Sequence, residues 1–268
     1  MDALLNKKFN TVMVFFSVAF TCYMLFSLFY LFTALGYGSL ILEQLLSQRV
    51  VSALWVSVAS STIVALIAVL VGVPTSWMLA YKDFKGKSIL ETLIVTIPHA
   101  FPPGVVGTTY LLMASPTSPV GGFLASMGIS LVNTFWAMVM VKVFISTPFL
   151  LSLLTEKLRD VRKTGLETIA KSLGASDSVT FRTITLPLSY RTIIAGSARS
   201  WARAMGEIAG TIVFAGAVIP GVTQTMPAII VFEAQESLPV ALTLALILAT
   251  VSIIVLVSFK LLMERRGT

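Results

Sequence analysis

The chain has 268 residues, 56% hydrophobic and only 12% charged, with a formal net charge of +7 and a mean hydropathy of +0.92. Soluble domains carry roughly a quarter charged residues, so a soluble protein with buried helices is excluded for want of polar surface. The positive charge does not indicate nucleic acid either, because the basic residues sit beside apolar stretches and form no stripe interleaved with aromatics.

Four stretches contain no Asp, Glu, Lys or Arg: between Lys8 and Glu43, Arg49 and Lys82, Glu91 and Lys142, and Glu236 and Lys260. Each exceeds the ~20 residues needed to cross a ~30 Å hydrocarbon core. The reading is an all-α integral membrane protein with a single transmembrane domain over 1–268. Its expected spans are about 12–35, 52–80, 90–114, 131–154, 192–218 and 239–262. The first is a retained span, since its apolar run is too long for a signal-peptide core and is followed by no convincing small-residue cleavage site. It holds Cys22, the sole cysteine, so no intrachain disulfide forms. After it, Leu40 to Leu46 reads as a short interfacial helix, one candidate docking surface for an external partner.

Six crossings sort the cations sharply. Lys7, Lys8, Lys82, Lys85, Lys87, Lys157, Arg159, Arg162, Lys163, Lys171, Arg182, Arg191, Lys260, Arg265 and Arg266 fall on one side, and only Arg49 on the other. The positive-inside rule then puts both termini in the cytoplasm.

In the third span, Pro98, Pro102 and Pro103 oppose a straight helix. Such a break is either a packing kink or a wall of a wet pathway. Pro74 and Pro148 read as kinks. His99, the only histidine, reads as a hydrogen-bonded structural residue and is not named as a ligand. The fourth span carries Lys142 near its middle, flanked by apolar residues on both sides. Charge at that depth needs a partner or water. In the fifth span Ala198, Ala202, Gly206 and Gly210 recur every four residues, the spacing of close helix contact. Arg203 and Glu207 share one face of that span, as a mutual ion pair or as part of a gate. Counting depth at ~1.5 Å per residue suggests a Lys142–Glu207–Arg203 network with one surplus positive charge.

The loop at about 155–191 is too long to be a mere connection. Leu166, Ile169, Ala170 and Leu173 follow i, i+3, i+4, i+7 spacing. Glu167, Thr168, Lys171 and Ser172 fill the other face, and Gly174 stops the helix. A helix this short is marginal alone in water. It needs a groove for its apolar face, either in the membrane domain or on another subunit.

Glu167-Thr168-Ile169-Ala170-Lys171-Ser172-Leu173-Gly174, then nine residues, then Ile184-Thr185-Leu186-Pro187, resembles the EAA loop of ABC importer permeases. Phe84 to Glu91, leading into Ile97-Pro98-His99-Ala100-Phe101-Pro102-Pro103-Gly104-Val105-Val106-Gly107, and Ser200 to Gly210 are similar to stretches of the molybdate/tungstate permeases and, less closely, of the sulfate permeases. His99, Gly104 and Ile208 depart from the family pattern.

The resemblance implies a permease subunit of an ATP-driven oxyanion importer. Glu167, Ile169, Ala170, Leu173, Gly174, Leu186 and Pro187 would form a cytoplasmic coupling helix and its continuation. Pro98, Pro102, Lys142, Arg203 and Glu207 are candidates for the pathway or gate. The implied partners are a second copy of the chain, a dimer of cytoplasmic ATPase subunits, an extracytoplasmic substrate-binding protein and the lipid bilayer of the cell membrane. The chain has no Walker A motif and no H-E-x-x-H zinc motif. It therefore reads as a transport subunit and not an enzyme, with no cofactor and no metal of its own. The alternatives are a permease for sulfate or another small solute, or, in a different class, an ion-coupled secondary transporter. The latter predicts intramembrane acids and an internal repeat, and the sequence offers only Glu207 and no convincing repeat.

Overall fold

Apolar runs in hydrocarbon fold as long helices because their backbone groups find no water to bond. The computed structural model describes residues 2–264, so Arg265 and Arg266 lie outside the described residues. Helices α1 (Asp2–Leu31) and α2 (Gly38–Leu46) are joined by a 3-10 turn, and α3 spans Gln48–Tyr81. Next come α4 (Lys87–Glu91), α5 (Ile97–Ala100), α6 (Pro103–Ala114), α7 (Pro119–Ser126) and α8 (Phe135–Lys163). The chain continues through α9 (Leu166–Ser172), α10 (Asp177–Thr180), α11 (Leu186–Met205), α12 (Ala209–Ala215), α13 (Met226–Glu236) and α14 (Leu238–Glu264). No strand occurs among the described residues.

Against six expected spans, four helical stretches among the described residues are long and apolar enough to cross a membrane: Phe9–Leu46, Gln48–Tyr81, Phe135–Lys163 and Leu238–Glu264. A fifth arises if Lys87–Ala100 and Pro103–Ala114, bent by 114°, count as one span. The bend is a direct result of the sequence. A proline disfavours helical backbone in the residue before it, and Phe101 and Pro102 are both extended (ψ 125 and 129). The stretch at 192–218 is two helices, α11 and α12, separated at Gly206–Ile208. It differs from a regular span because α11 carries Arg191, Arg199 and Arg203.

Two prolines leave the same local signature. The segments Thr92–Thr96 and Phe181–Thr185 are π-helical, each ending two residues before a proline, Pro98 and Pro187. A proline inside a helix donates no hydrogen bond and crowds the carbonyl four residues back, so the preceding turn widens.

α3, α8 and α11 form the centre of the bundle. Glycines let them approach: a Cβ at Gly72 would lie 2.6 Å from the Leu150 side chain, and one at Gly196 would lie 3.1 Å from the same residue. On one flank α12 packs against α6 and α8 around Val106, Val141 and Phe214. On another, α13 and α14 pack together, and Arg49 at the start of α3 pairs with Glu233 of α13 at 2.7 Å. From Phe9 onward α1 turns aromatic side chains outward, Phe16, Phe20, Phe26 and Phe29 among them. That surface suits hydrocarbon and not water.

α8 runs on to Lys163, past the expected end of the fourth span. The connection to α11 is therefore 164–185 rather than 155–191. The extension is held by its own basic residues: Arg159 pairs with Glu91 at 2.6 Å, and Arg162 donates to the carbonyl of Ala80 at 2.9 Å.

Candidate functional site

α9 is cut out of the chain by two glycines. Gly165 (φ 73) and Gly174 (φ 91) lie in the left-handed region at either end, which a side chain would strain. The N–H of Gly174 bonds Lys171 O and that of Ala175 bonds Ala170 O, both at 3.0 Å. This is the paired closure of a glycine-terminated helix, as expected from Gly174.

The helix is oriented differently from the sequence reading. Glu167, expected among the outward polar residues, is buried. Its carboxylate accepts hydrogen bonds from the Tyr81 hydroxyl at 2.9 Å and from the Thr185 hydroxyl. A carboxylate leaves water only when such donors replace it. With Glu167 turned inward, Leu166, Ile169 and Leu173 face outward, Leu173 at 84% exposure, while Ala170 is partly covered. Among the described residues, no groove of this chain covers the apolar stripe. Lys171 pairs with Asp177 at 2.8 Å, and that hydrogen bond and charge hold the Asp177 carboxyl below its ordinary range. Leu186 and Pro187 are exposed at the start of α11, immediately after Thr185.

The charged core is the second constellation. Lys142 is fully buried, and its Nζ donates to Ser60 Oγ at 2.9 Å. Ser60 in turn bonds the carbonyl of Ser57, whose hydroxyl accepts the N–H of Met226 at 2.8 Å. Arg203 and Glu207 form an ion pair at 3.0 Å. The other Glu207 oxygen accepts the N–H of Gly210 at 2.9 Å and thereby caps α12. The expected three-residue network is thus only partly formed. Arg203 and Glu207 are joined, but Lys142 makes its bond to Ser60, and no Lys142–Glu207 ion pair within 4.0 Å occurs among the described residues. Lys142 bonds Ser60 on α3, and Glu207 reaches it through charge rather than a direct bond.

Pro98 is buried within its helix, whereas Pro102 is exposed at the bend. His99 lies against Phe149, ring centroids 4.6 Å apart, with Nδ1 close to the carbonyl of Val95. Of the small residues in the fifth span, Gly210 makes the close contact: a Cβ at Gly107 would lie 2.6 Å from Gly210 O. Tyr81, Thr185 and Ser60 were missed by sequence reasoning. Nothing local marks them, because their partners lie 86, 18 and 82 residues away.

A family model described as "Binding-protein-dependent transport system inner membrane component" matches residues 72–267. Over 239 residues the chain is 29% identical to the molybdate/tungstate transport system permease protein WtpB of Pyrococcus furiosus, covering 89% of this chain and 88% of that one. It is 32% identical over 200 residues to the sulfate transport system permease protein CysW of Synechococcus elongatus, covering 74% and 68% of the two chains. Among solved structures, the fold is similar to a chain of a bacterial ABC transporter involved in the import of the acidic polysaccharide alginate. The TM-score is 0.64 at 14% identity, over 86% of this chain and 84% of that one.

Proposed function

This chain belongs to the family of binding-protein-dependent transport system inner membrane components, and from that premise we propose that it forms the translocation pathway of a molybdate or tungstate importer. It is an ABC importer permease subunit, with the helical apolar spans of a membrane protein. Membership in this family replaces the ion-coupled secondary transporter as a reading.

The observation that carries the proposal is α9: a short helix anchored from behind by Glu167, with Leu166, Ile169 and Leu173 bare in front. Exposed leucines and isoleucine on a charged face are the expected anchors of a helix-in-groove contact. We assign the groove to a cytoplasmic ATPase subunit, with Leu186 and Pro187 at its edge. The working unit is a homodimer of this single-domain chain over two ATPase subunits, with an external binding protein delivering the anion. Six crossings, the bent third and broken fifth included, leave both termini in the cytoplasm. ATP-driven closure of the partner pulls α9. The pull passes through Glu167 to the ends of α3 and α11, and the bundle rocks between inward-open and outward-open states. Differential affinity of ATP for the two states supplies the bias. Pro98, Pro102, Lys142, Arg203 and Glu207 are assigned to the moving wall or gate.

The similarity to a sulfate permease favours sulfate as the second reading, since all three anions are tetrahedral dianions. The test is ATP hydrolysis by the chain reconstituted in liposomes with its ATPase and binding protein. Molybdate, tungstate or sulfate is added in turn. Stimulation by molybdate or tungstate alone supports the proposal, stimulation by sulfate alone installs the second reading, and no dependence on any of them removes both.

A further inference from the structure

Behind α9 lies a polar cleft of about 200 Å³, bordered by Trp77, Lys82, Arg162 and Glu167. Beside it runs a groove of about 400 Å³ lined almost wholly by carbon, with Val73, Pro74 and Phe181 in its wall. The two hollows share Trp77, Asp177 and Phe181, so a charged cleft and an apolar groove adjoin.

The charges in the cleft are unequally committed. Glu167 is occupied by Tyr81 and Thr185, and Asp177 by Lys171 at 2.8 Å. Asp83 stands at the rim, with one oxygen 3.0 Å from Lys87 and the other 3.5 Å from Arg162. Lys82 has no carboxylate within 4.0 Å among the described residues, and its Nζ sits 5.1 Å from the centroid of the Trp77 ring. An aromatic face attracts a cation but leaves its charge uncompensated. Lys85 and Lys87 follow in the same loop. The cleft is therefore short of negative charge at Lys82, which has no ion pair among the described residues and feels Asp177 only at longer range, while one carboxylate, Asp83, is shared between Lys87 and Arg162.

We infer that cleft and groove together bind one anionic phospholipid, its phosphate against Lys82 and Arg162 and an acyl chain along Val73, Pro74 and Phe181. Charge complementarity selects an anion, and the continuous apolar groove selects one that carries a hydrocarbon chain. A free oxyanion would fill only the polar half. The level is right for a headgroup, because a Trp followed by Lys at the end of a span marks the membrane interface. The cleft also borders Thr168 and Lys171 of α9, so the lipid touches the helix assigned to ATPase docking. The site itself does not depend on which anion is transported.

The experiment uses the full chain in phosphatidylcholine nanodiscs containing either phosphatidylglycerol or phosphatidylcholine with brominated acyl chains. Bromine quenches tryptophan emission on contact, and the Trp77 signal is the difference between the wild type and Trp77→Phe. Brominated phosphatidylglycerol is expected to quench Trp77 at mole fractions where brominated phosphatidylcholine does not. Lys82→Gln should weaken that preference about fivefold, the factor for one cation near a lipid surface, and Lys82→Arg should retain it. Lys82 is exposed, so neither variant threatens folding. Equal quenching by the two lipids would overturn the proposal in favour of ordinary boundary lipid. Displacement by inorganic phosphate would overturn it in favour of a free-anion site. An unchanged preference in Lys82→Gln would remove the assigned contact.

Discussion

The Tyr81 hydroxyl lies 2.9 Å from the Glu167 carboxylate and ties the last turn of α3 to the first turn of α9 across 86 residues of chain. With Thr185 donating to the same oxygen, one side chain joins three segments. A force applied to α9 would therefore reach α3 and the start of α11 without passing through Gly165 or Gly174.

Removing that joint should uncouple transport from ATP hydrolysis. Glu167→Ala leaves two hydroxyls without their acceptor, and hydrogen bonds to a charged group contribute about 1.5–3 kcal/mol each. We expect the complex with the ATPase to persist while anion moved per ATP falls severalfold, with Tyr81→Phe intermediate. The check is the ratio of uptake to hydrolysis in proteoliposomes. An unchanged ratio in Glu167→Ala would show that force travels by another route.

Leu173 should act in the opposite sense. It is almost fully exposed, so Leu173→Asp costs this chain little. A central interface anchor contributes about 2 kcal/mol or more, equivalent to roughly thirtyfold weaker association. Co-purification with the ATPase should fail while the variant itself elutes as a folded species. Retained association at wild-type affinity would exclude α9 as the docking element.

Gly107→Ala should destabilise the crossing of α6 and α12. The new Cβ would stand 2.6 Å from Gly210 O and 2.9 Å from Gly210 Cα, and backbone cannot swing aside as a side chain can. Overpacking of this kind costs about 1–3 kcal/mol. Gly104→Ala, with nothing within 4 Å of its Cβ, is the control. Thermal unfolding in detergent should separate the two, and equal midpoints would mean that the crossing is looser than described.

The charged core separates in the same assay. Glu207→Ala strands Arg203 and uncaps Gly210. The Arg203 side chain is 30% exposed, so the loss should fall below the about 3–5 kcal/mol of stranding a fully buried charge. Lys142→Met removes a buried charge whose direct partner is a serine, so folded yield should hold or rise. A fall in transport without a fall in yield would then locate a functional role at Lys142. Wild-type transport would leave it outside the gate.

Much of the architecture was legible because hydrophobic length is a local property. The stretches around 52–80 and 239–262 appear as α3 and α14 within a few residues. Gly174 ends α9 as its backbone freedom requires. The prolines announced a break in the third span, but its 114° angle depends on how α6 finds α12. The break in the fifth stretch was not legible, because periodicity cannot show that Glu207 turns back to cap α12 and so ends one helix to begin another.

The sequence by itself determined that this chain lives in a membrane, where its apolar helices lie and that α9 exists, because each rests on composition or on spacings of a few residues. Only the tertiary structure decided which way α9 faces and where Lys142 bonds. Glu167 turns inward because Tyr81 and Thr185 are waiting there, and Lys142 turns to α3 because Ser60 is in reach. Such choices are made by groups brought together from distant parts of the chain, where a buried charge must find its donor or acceptor or give up the energy of hydration.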